Sequence, residues 1–382
     1  MTNRLRVAIV GGGPGGLMLA RLLQRRGGDV TVFERDAHAG ERPQGGSLDL
    51  HAETGQRAMR LAGLEAAFQA AARPEDQGDR IYDEHGTLLF DRDGANDDRP
   101  EIDRTALRQI LLDALNPGTV RWGSRIGKIT PLSSSEVDVN NNGATERFDA
   151  VVGADGAWSR VRPLLTGTAP RYEGVTMVEF GYGAVTHLHV DALVGGGKMF
   201  AVGDNRVLIA QRNGHGHIRG YAGLRMPEAA ARPWMATAPD GVCAMLREAF
   251  AAWAPSLTAL IDVKAFIAVR PLYALPIGHG WTSRAGLTLL GDAAHLMSPF
   301  SGEGVNLALA DAVDLADALA SDHGWGAVED YEAAMLARAA IAAEGASAGL
   351  NSVLSPHGVD AVLDHYRERV AARSYPTTPE NT

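Results

Sequence analysis

A glycine-rich turn near the amino terminus constrains the fold of this chain more strongly than any other feature of its sequence. Residues 5–10 form an apolar, β-rich run, and Gly11, Gly13 and Gly16 follow it in the spacing G-x-G-x-x-G. In a strand–turn–helix unit the first glycine permits a tight turn, the second lets the backbone approach a pyrophosphate, and the third lets helix and strand touch. The pattern predicts a dinucleotide site; the alternative is a glycine-rich turn that binds no ligand.

The second strand of this unit ends in an acidic residue. Helical spacing of apolar residues over 17–23 is followed by a β-rich run over 29–33, which Glu34 closes. A carboxylate at that position can accept hydrogen bonds from ribose hydroxyls, which favours FAD or NAD over NADP. Arg35 follows directly, at the exit of the strand.

A second strand, acidic turn and helix start are predicted at residues 286–306, GLTLLGDAAHLMSPFSGEGVN. An apolar run suited to a strand buried on both faces breaks at Gly291, and Asp292 follows at the predicted carboxyl end. A loop then leads into a long helix that begins near Gly304. The carboxylate can accept hydrogen bonds from hydroxyls, and the amides of the loop and helix start can stabilise negative charge. The stretch therefore predicts a polar cofactor at the edge of a parallel sheet.

A third turn of this kind follows the predicted strand over 148–152. Its sequence is GADGAWSRVR, residues 153–162, and it places a second carboxylate, Asp155, at a sheet edge. Arg160 and Arg162 open the next segment.

Three further polar residues have two interpretations each. Asp49 lies between apolar residues, so it is either a cofactor contact or a surface acid on a short strand. Arg108 follows Arg104 by four residues on an amphipathic helix predicted over 103–115, where a solvated basic stripe is the simpler interpretation. His295, close behind Asp292, is either a base or a structural residue, and we favour the structural role.

The composition argues against several classes of protein. Of 382 residues, 45% are hydrophobic and 21% charged, and the net charge of −10 argues against nucleic acid or an anionic membrane as the main partner. The single cysteine, Cys243, excludes an internal disulfide framework and a Cys-x-x-Cys redox pair. The histidines lack partners at metal-ligand spacing, no apolar run is long enough to span a membrane, and the start does not resemble a signal peptide. We therefore expect a cytoplasmic protein without a metal.

The second half of the chain predicts a different kind of sheet. Short strands broken by glycines over 175–225, including HLHV at 187–190, indicate antiparallel pairing, and Ala-rich helices are predicted over 326–350 and 356–372. The predicted fold class is α/β: a Rossmann-like domain with a parallel sheet, interleaved with an antiparallel-sheet substrate domain and long C-terminal helices. The predicted domains are 1–165 with a small β flap, 166–275 for the substrate sheet, 276–320 for the second dinucleotide-binding part, and 321–382 for the C-terminal helices. These helices either pack across the substrate sheet or form a dimer contact, so the sequence is compatible with a monomer or a homodimer.

Taken together, GGGPGG with Glu34, GADGAWSRVR and GDAAHLMSPFSGEGVN resemble the single-component flavin-dependent monooxygenases of the aromatic-hydroxylase type. The segments ERPQGGSLDLH and PEIDRTALRQILLDAL, with the third motif, look most like the tetracycline-inactivating members of that family. The resemblance spans nearly the whole chain. It implies a bound FAD, NADPH as a transient reductant, and molecular oxygen as a co-substrate.

The resemblance also implies roles for individual residues. It places Arg42 near NADPH, and Asp49, Arg108 and Asp292 on FAD. The full predicted cofactor set is Gly11, Gly13, Gly16, Glu34, Arg35, Arg42, Asp49, Arg108, Asp155, Asp292, Pro299, Gly302 and Gly304. The predicted substrate set is Lys198, Phe200 and Arg219, with Pro299 and Gly302 where flavin meets substrate.

The activity implied is oxygenation of a polycyclic phenol or enol. Such a reaction either inactivates a tetracycline-type antibiotic or tailors a polyketide or other aromatic natural product. Because the flavin carries the redox chemistry, no catalytic side chain is predicted. The alternatives are a flavin oxidase or dehydrogenase, and a non-catalytic protein that binds flavin or an antibiotic.

Overall fold

The computed structural model describes residues 5–41, 45–94, 97–132 and 136–374. The chain forms two compact units, each assembled from separate stretches of sequence. Unit 1 comprises Met1–Arg73, Asp98–Glu173 and Tyr273–Ser347, and unit 2 comprises Pro74–Asp97, Gly174–Leu272 and Ala348–Thr382. The predicted domain boundaries at residues 165, 275 and 320 stay predictions.

The described residues contain both strands and helices, numbered in chain order. The strands are β1 Arg6–Val10, β2 Asp29–Phe33, β3 Ser47–Asp49, β4 Gly78–Tyr82, β5 Leu88–Arg92, β6 Glu101–Asp103, β7 Val120–Arg121, β8 Ile126–Pro131, β9 Val137–Asn141, β10 Ala144–Phe148, β11 Ala150–Gly153, β12 Arg171–Gly183, β13 Gly197–Gly203, β14 Arg206–Arg212, β15 His217–Arg225, β16 Phe266–Ala274 and β17 Leu287–Leu289. The helices are α1 Pro14–Arg25, α2 Arg57–Leu61, α3 Glu65–Ala71, α4 Arg104–Asp113, α5 Leu188–Val194, α6 Glu228–Ala236, α7 Pro239–Ala249, α8 Pro255–Thr258, α9 Asp292–His295, α10 Gly304–Ala320, α11 Trp325–Val353 and α12 Gly358–Ser374. A short π-helix, Ala52–Gln56, leads into α2.

Unit 1 contains a five-stranded sheet in the order β17-β11-β1-β2-β7, and its neighbouring strands are parallel. Strands β1, β11 and β17 are apolar and almost wholly buried, as a sheet covered on both faces requires. Val10 pairs with Gly153, and Gly153 pairs with Leu289. The three predicted turns therefore leave the sheet side by side, at what we call the carboxyl edge, and the predicted parallel sheet is confirmed.

Two helices of unit 1 contact each other beside this sheet. Gly15 of α1 lies so close to α10 that a Cβ atom there would come within 3.1 Å of the Ala308 carbonyl oxygen. Both helices contribute to the core of unit 1, α1 through Leu17 and Leu19 and α10 through Leu309 and Val313. The contact fixes the start of both helices at the carboxyl edge.

Two smaller sheets complete unit 1. Strands β10, β9 and β8 form an antiparallel sheet, which confirms the predicted flap. Strand β7 is not part of this flap; it pairs with β2 at the edge of the parallel sheet. Strands β3 and β6 form a two-stranded antiparallel pair.

Unit 2 contains a seven-stranded sheet in the order β16-β12-β15-β14-β13-β4-β5. Strands β12 to β15 pair antiparallel as predicted, whereas β13 and β4 are parallel. The strand predicted through residues 187–190 is wrong, because β12 ends at Gly183 and helix α5 begins at Leu188. Val190 and Val194 of α5 are buried four residues apart, which is helical rather than strand periodicity.

The two Ala-rich segments near the carboxyl terminus are helical, as predicted, and correspond to α11 and α12. Within the described ranges, no helix has both the length and the apolar character needed to cross a membrane.

Candidate cofactor-binding site

The glycine turn between β1 and α1 has the tight geometry that its sequence predicts. Gly11 has φ of +110°, and a Cβ atom there would lie 2.3 Å from the Ala154 carbonyl oxygen. A Cβ atom at Gly16 would lie 2.3 Å from the carbonyl oxygen of Gly11. Gly13, the N-cap of α1, faces open space, and no side chain caps the helix among the described residues. The turn thus has two glycines required by packing and one that leaves the helix start accessible to an anion.

Glu34 holds this turn in place. It is buried, and its carboxylate accepts a hydrogen bond from the amide of Gly12 at 2.7 Å and another from the amide of Asp36 at 2.9 Å. Each carboxylate oxygen has a second lone-pair site, so these bonds leave acceptor capacity for a ligand hydroxyl. The residue predicted to bind ribose therefore also stabilises the turn on which a dinucleotide would lie.

Arg108 lies beneath the same turn and is only 2% exposed. Its Nε atom donates to the carbonyl oxygen of Gly12 at 3.0 Å, and Nη1 donates to that of Ala39 at 2.9 Å. Its Nη2 atom lies 3.7 Å from Glu34 and 3.6 Å from Asp36 but makes no hydrogen bond to the described residues. The interpretation of Arg108 as part of a solvated stripe is wrong, because α4 turns this side chain inward.

The turn after β11 is closed by its own acid. The Oδ2 atom of Asp155 accepts a hydrogen bond from the amide of Arg160 at 2.7 Å, while Oδ1 is buried without a hydrogen-bond partner in the described ranges. Burial raises the pKa of Asp155, although the Ser159 hydroxyl and nearby amides oppose this shift. Arg162 follows and donates to the carbonyl oxygens of Ala293 at 3.1 Å and Ala157 at 2.7 Å. The second and third turns are therefore joined directly.

Residues 291–295, which we call the Asp292 turn, follow β17. Gly291 has φ of +58°, in the left-handed region that favours glycine, and starts the short helix α9. Asp292 is exposed. Its carboxylate is thus available at the carboxyl edge, as the sequence predicts.

A buried charged cluster lies behind the Asp292 turn. Asp311 of α10 is 0% exposed and accepts hydrogen bonds from the Gly291 amide at 3.0 Å, from His295 Nε2 at 2.5 Å and from Arg338 Nη2 at 2.9 Å. Arg338 of α11 also donates to Asp314 at 2.9 Å. Burial lowers the pKa of His295, but the charge and hydrogen bond of Asp311, together with the charge of Asp292, outweigh burial and the pKa is raised overall. The geometry favours the structural role for His295.

The loop between α9 and α10 is tied to β3 by an amide side chain that the sequence analysis missed. Asn306 is 0% exposed; its Oδ1 atom accepts from the His51 amide at 2.9 Å, and its Nδ2 atom donates to the carbonyl oxygens of Asp49 at 2.9 Å and Gly302 at 3.3 Å. Gly302 has φ of +69°. The predicted contact residues Asp49 and Gly302 are thus brought together by a residue 257 positions from Asp49.

His51 lies in the same region, between two acids. Its Nε2 atom is 3.3 Å from Asp49 Oδ2, and its Nδ1 atom is 3.5 Å from Glu303 Oε2. Asp49 is half-buried on β3, so it is not a freely solvated surface acid. Pro299 is exposed at the start of a 3₁₀ turn, and Gly304 is the first residue of α10.

Gly55 of the π-helix allows Asn306 to reach this position. A Cβ atom at Gly55 would lie 2.5 Å from Asn306 Oδ1, so Gly55→Ala should lower the free energy of unfolding by about 1–3 kcal/mol. Gly345→Ala in α11 is the control, because no atom in the described ranges lies within 4 Å of the Cβ position and alanine should stabilise the helix by about 0.5–1 kcal/mol. Urea unfolding measures both. Equal stability of the two variants would contradict the assigned role of Gly55.

The remaining predicted residues lie elsewhere. Arg35 is exposed, and Arg42 lies outside the described residues. In unit 2, Lys198 Nζ is 3.6 Å from Asp79, Arg219 Nη1 is 3.4 Å from Glu179, and the Phe200 ring is 6.2 Å from the ring of Tyr366. Within the described ranges, no group of three or more His, Cys, Asp or Glu residues is arranged to hold a metal ion.

The parallel sheet and the three turns at its carboxyl edge define a dinucleotide-binding α/β protein. Residues 4–348 match the protein family described as FAD binding domain, and the chain belongs to that family. Monooxygenase asqM of Emericella nidulans is 33% identical over 376 residues, which cover 83% of this chain and 84% of that protein. The 3-amino-4-hydroxybenzoate 2-monooxygenase PtmB3 of Streptomyces platensis is 33% identical over 356 residues, which cover 88% of this chain and 85% of that protein. The chain is an FAD-dependent monooxygenase of the aromatic-hydroxylase type, which confirms the family inferred from the three motifs.

A solved structure gives a likeness at the level of the fold. The tetracycline destructase Tet(55) superposes with a TM-score of 0.77 at 21% identity, over 98% of this chain and 96% of that one. At this identity the similarity concerns the architecture alone.

Proposed function

We propose that this monooxygenase binds FAD along the carboxyl edge of unit 1, is reduced by NADPH, and uses molecular oxygen to hydroxylate a polycyclic phenol or enol. The observation that carries the proposal is the meeting of three turns, from residues 11–16, 153–157 and 291–295, at one edge of a single parallel sheet. Ligands of open α/β sheets bind at that edge.

The residues at this edge fit FAD by their chemistry. Among the residues that the structure describes, no side chain caps the start of α1 and none approaches Gly13, which suits a pyrophosphate. Glu34 and Asp292 offer carboxylates to hydroxyl groups. The Arg108 Nη2 and Asp155 Oδ1 atoms are buried and lack hydrogen-bond partners among the described residues. Buried polar atoms of native proteins almost always have partners, so a donor and an acceptor are left for a bound molecule or water.

The loop before α10 provides a second kind of interaction. No side chain of the described residues caps α10, and its first turn begins at Gly304, directly after the loop that contains Pro299 and Gly302. The amides at a helix start carry partial positive charge and favour negative charge on a group bound there. Bound FAD supplies the electron transfer and oxygen activation; the protein binds it, orients it and stabilises this charge.

The proposed roles of other residues follow the resemblance. Arg42 contacts NADPH, with Arg35 nearby in sequence, and Asp49 supports the cofactor from β3. Lys198, Phe200 and Arg219 of unit 2 contact substrate. A phenolic substrate is supported by the relative PtmB3, whose name states that it acts on a hydroxybenzoate.

The experiment begins with the purified protein and its flavin content. Consumption of NADPH and oxygen is then measured with tetracyclines, anthraquinones and simple phenols, and product mass is read for one added oxygen atom. Added oxygen on a tetracycline would support inactivation of the antibiotic, and on an anthraquinone would support tailoring of a polyketide. A flavin-loaded protein that oxygenates none of these compounds would contradict the proposed substrate class.

Asp292 provides a direct test of the flavin site. Because its carboxylate is exposed and offers acceptors to ligand hydroxyls, Asp292→Ala should weaken FAD binding about tenfold to a hundredfold. Titration of the apoprotein, followed by flavin fluorescence, measures the change. Asp322→Ala in the connection between α10 and α11 is a control for removal of an exposed acid. Unchanged FAD affinity in Asp292→Ala would contradict the proposed contact.

A further inference from the structure

The strongest unexplained feature is the buried charge behind the Asp292 turn. Asp311 has no exposed surface and His295 is 5% exposed, yet both are ionisable and lie 2.5 Å apart. Burying charge is costly unless it is paired, so a fully buried charged pair indicates a specific role. Nothing in the redox chemistry of a flavin requires a charged pair inside the protein.

The hydrogen bonds of Asp311 show what the pair holds. The carboxylate accepts from the amide of Gly291, the residue whose left-handed conformation starts the turn, and from His295, the residue that ends it. Asp311 therefore clamps both ends of a turn that exposes Asp292 between them. Its third bond, to Arg338, connects the clamp to α11.

We propose that His295 and Asp311 are positioning residues for the flavin: they hold the Asp292 turn in its binding conformation, and the charge on His295 makes flavin affinity dependent on pH. The inference rests on the proposed binding of FAD at the carboxyl edge. Neither residue contacts the cofactor in this scheme; both act through Asp292.

The direction of the pH dependence follows from the charges around the histidine. Asp311 of α10 and Asp292 of the turn act on His295 directly, and His279 lies close enough for its own pKa to be affected by the charge on His295. Arg338 and Tyr331 of α11 act on the Asp311 carboxylate or are acted on by it. Burial lowers the pKa of His279, and the charges of Arg162 and His295 act in the same direction, whereas the pKa of His295 is raised. His295 is thus the histidine of this cluster whose pKa is raised.

A raised pKa in the folded protein means that the charged form stabilises the turn. This stabilisation is fully present below 6.5, the ordinary value for histidine, and is lost as pH rises through the raised pKa of His295. Affinity for FAD should therefore fall as the solution becomes more alkaline.

The test uses apoprotein and FAD, with fluorescence titrations from about pH 6 to about pH 9. His295→Gln keeps a donor for Asp311 but no charge, so it should bind FAD about tenfold more weakly at the acidic end and lose the pH dependence. Asp311→Asn should weaken FAD binding by about tenfold or more. The milder His295→Gln keeps the test informative if Asp311→Asn does not fold.

Thr288→Val is the matched control. It removes a buried hydrogen bond of 2.8 Å to Glu332 from the strand that precedes the turn, but it does not touch the turn. It should lose stability while keeping the wild-type FAD affinity and pH profile. A wild-type pH profile in His295→Gln, or equal weakening in Thr288→Val and Asp311→Asn, would overturn the inference. Wild-type apoprotein that binds no FAD at any pH would instead overturn the proposed function, and this inference with it.

Discussion

Replacing Gly16 with alanine is expected to lower the free energy of unfolding by about 3 kcal/mol and to abolish FAD binding. The added Cβ atom would lie 2.3 Å from the carbonyl oxygen of Gly11. Both atoms belong to backbone that is held by β1 and α1, so neither can move without separating the helix from the strand. Urea unfolding of the apoprotein followed by circular dichroism measures the first effect, and fluorescence titration with FAD measures the second.

Gly13→Ala is the control that separates folding from binding. Gly13 has an ordinary φ of −79°, and no atom of the described residues lies within 4 Å of its Cβ position, so its replacement should cost less than about 1 kcal/mol. A pyrophosphate approaching the helix start would meet the new methyl group, and FAD affinity should fall at least about tenfold. Stability of Gly16→Ala equal to wild type would contradict the packing argument, and unchanged affinity in Gly13→Ala would contradict the position of the pyrophosphate.

Arg108→Met is expected to lower the free energy of unfolding by about 3–5 kcal/mol. The substitution keeps a long apolar side chain but removes two donors, to Gly12 at 3.0 Å and to Ala39 at 2.9 Å. It also leaves the buried carboxylates of Glu34 and Asp36 without the cation that lies within 3.7 Å and 3.6 Å of them. Because Gly12 belongs to the glycine turn, FAD affinity should fall as well. Denaturant unfolding and FAD titration measure the two losses.

Arg104→Met is the control for Arg108 on the same helix. Arg104 lies one turn earlier and is exposed, so its replacement should change the free energy of unfolding by no more than about 0.5 kcal/mol. Similar losses in the two variants would contradict the buried role of Arg108.

The contrast between these two arginines shows how far the sequence could predict the site. Local patterns identified the parts that lie within one segment: the glycine turn, Asp155 and Asp292 each follow an apolar strand, and parallel pairing brings such ends together. Helical periodicity placed Arg104 and Arg108 on one face but could not say which of them meets the glycine turn. That depends on how α4 packs, which no local pattern encodes.

The residues that sequence analysis missed act across long separations. Asn306 binds the amide of His51, 255 residues away, and Asp311 binds Arg338 on the next helix. An asparagine or an aspartate within an Ala-rich helix gives no local sign of its partner. One feature of the sequence could have identified them. Asn306 and Asp311 occupy the inward-facing side of α10, where the other residues are apolar, and a buried polar residue needs a hydrogen-bond partner.

The separation of the three turns along the chain has a consequence for biogenesis. Residues 11–16 leave the ribosome long before residues 291–295, yet the two meet at one sheet edge. A nascent chain therefore cannot assemble the proposed flavin site until most of its length has been synthesised. Since a ligand stabilises only the state that binds it, we expect cells starved of riboflavin to accumulate an apoprotein that is degraded faster than the loaded enzyme.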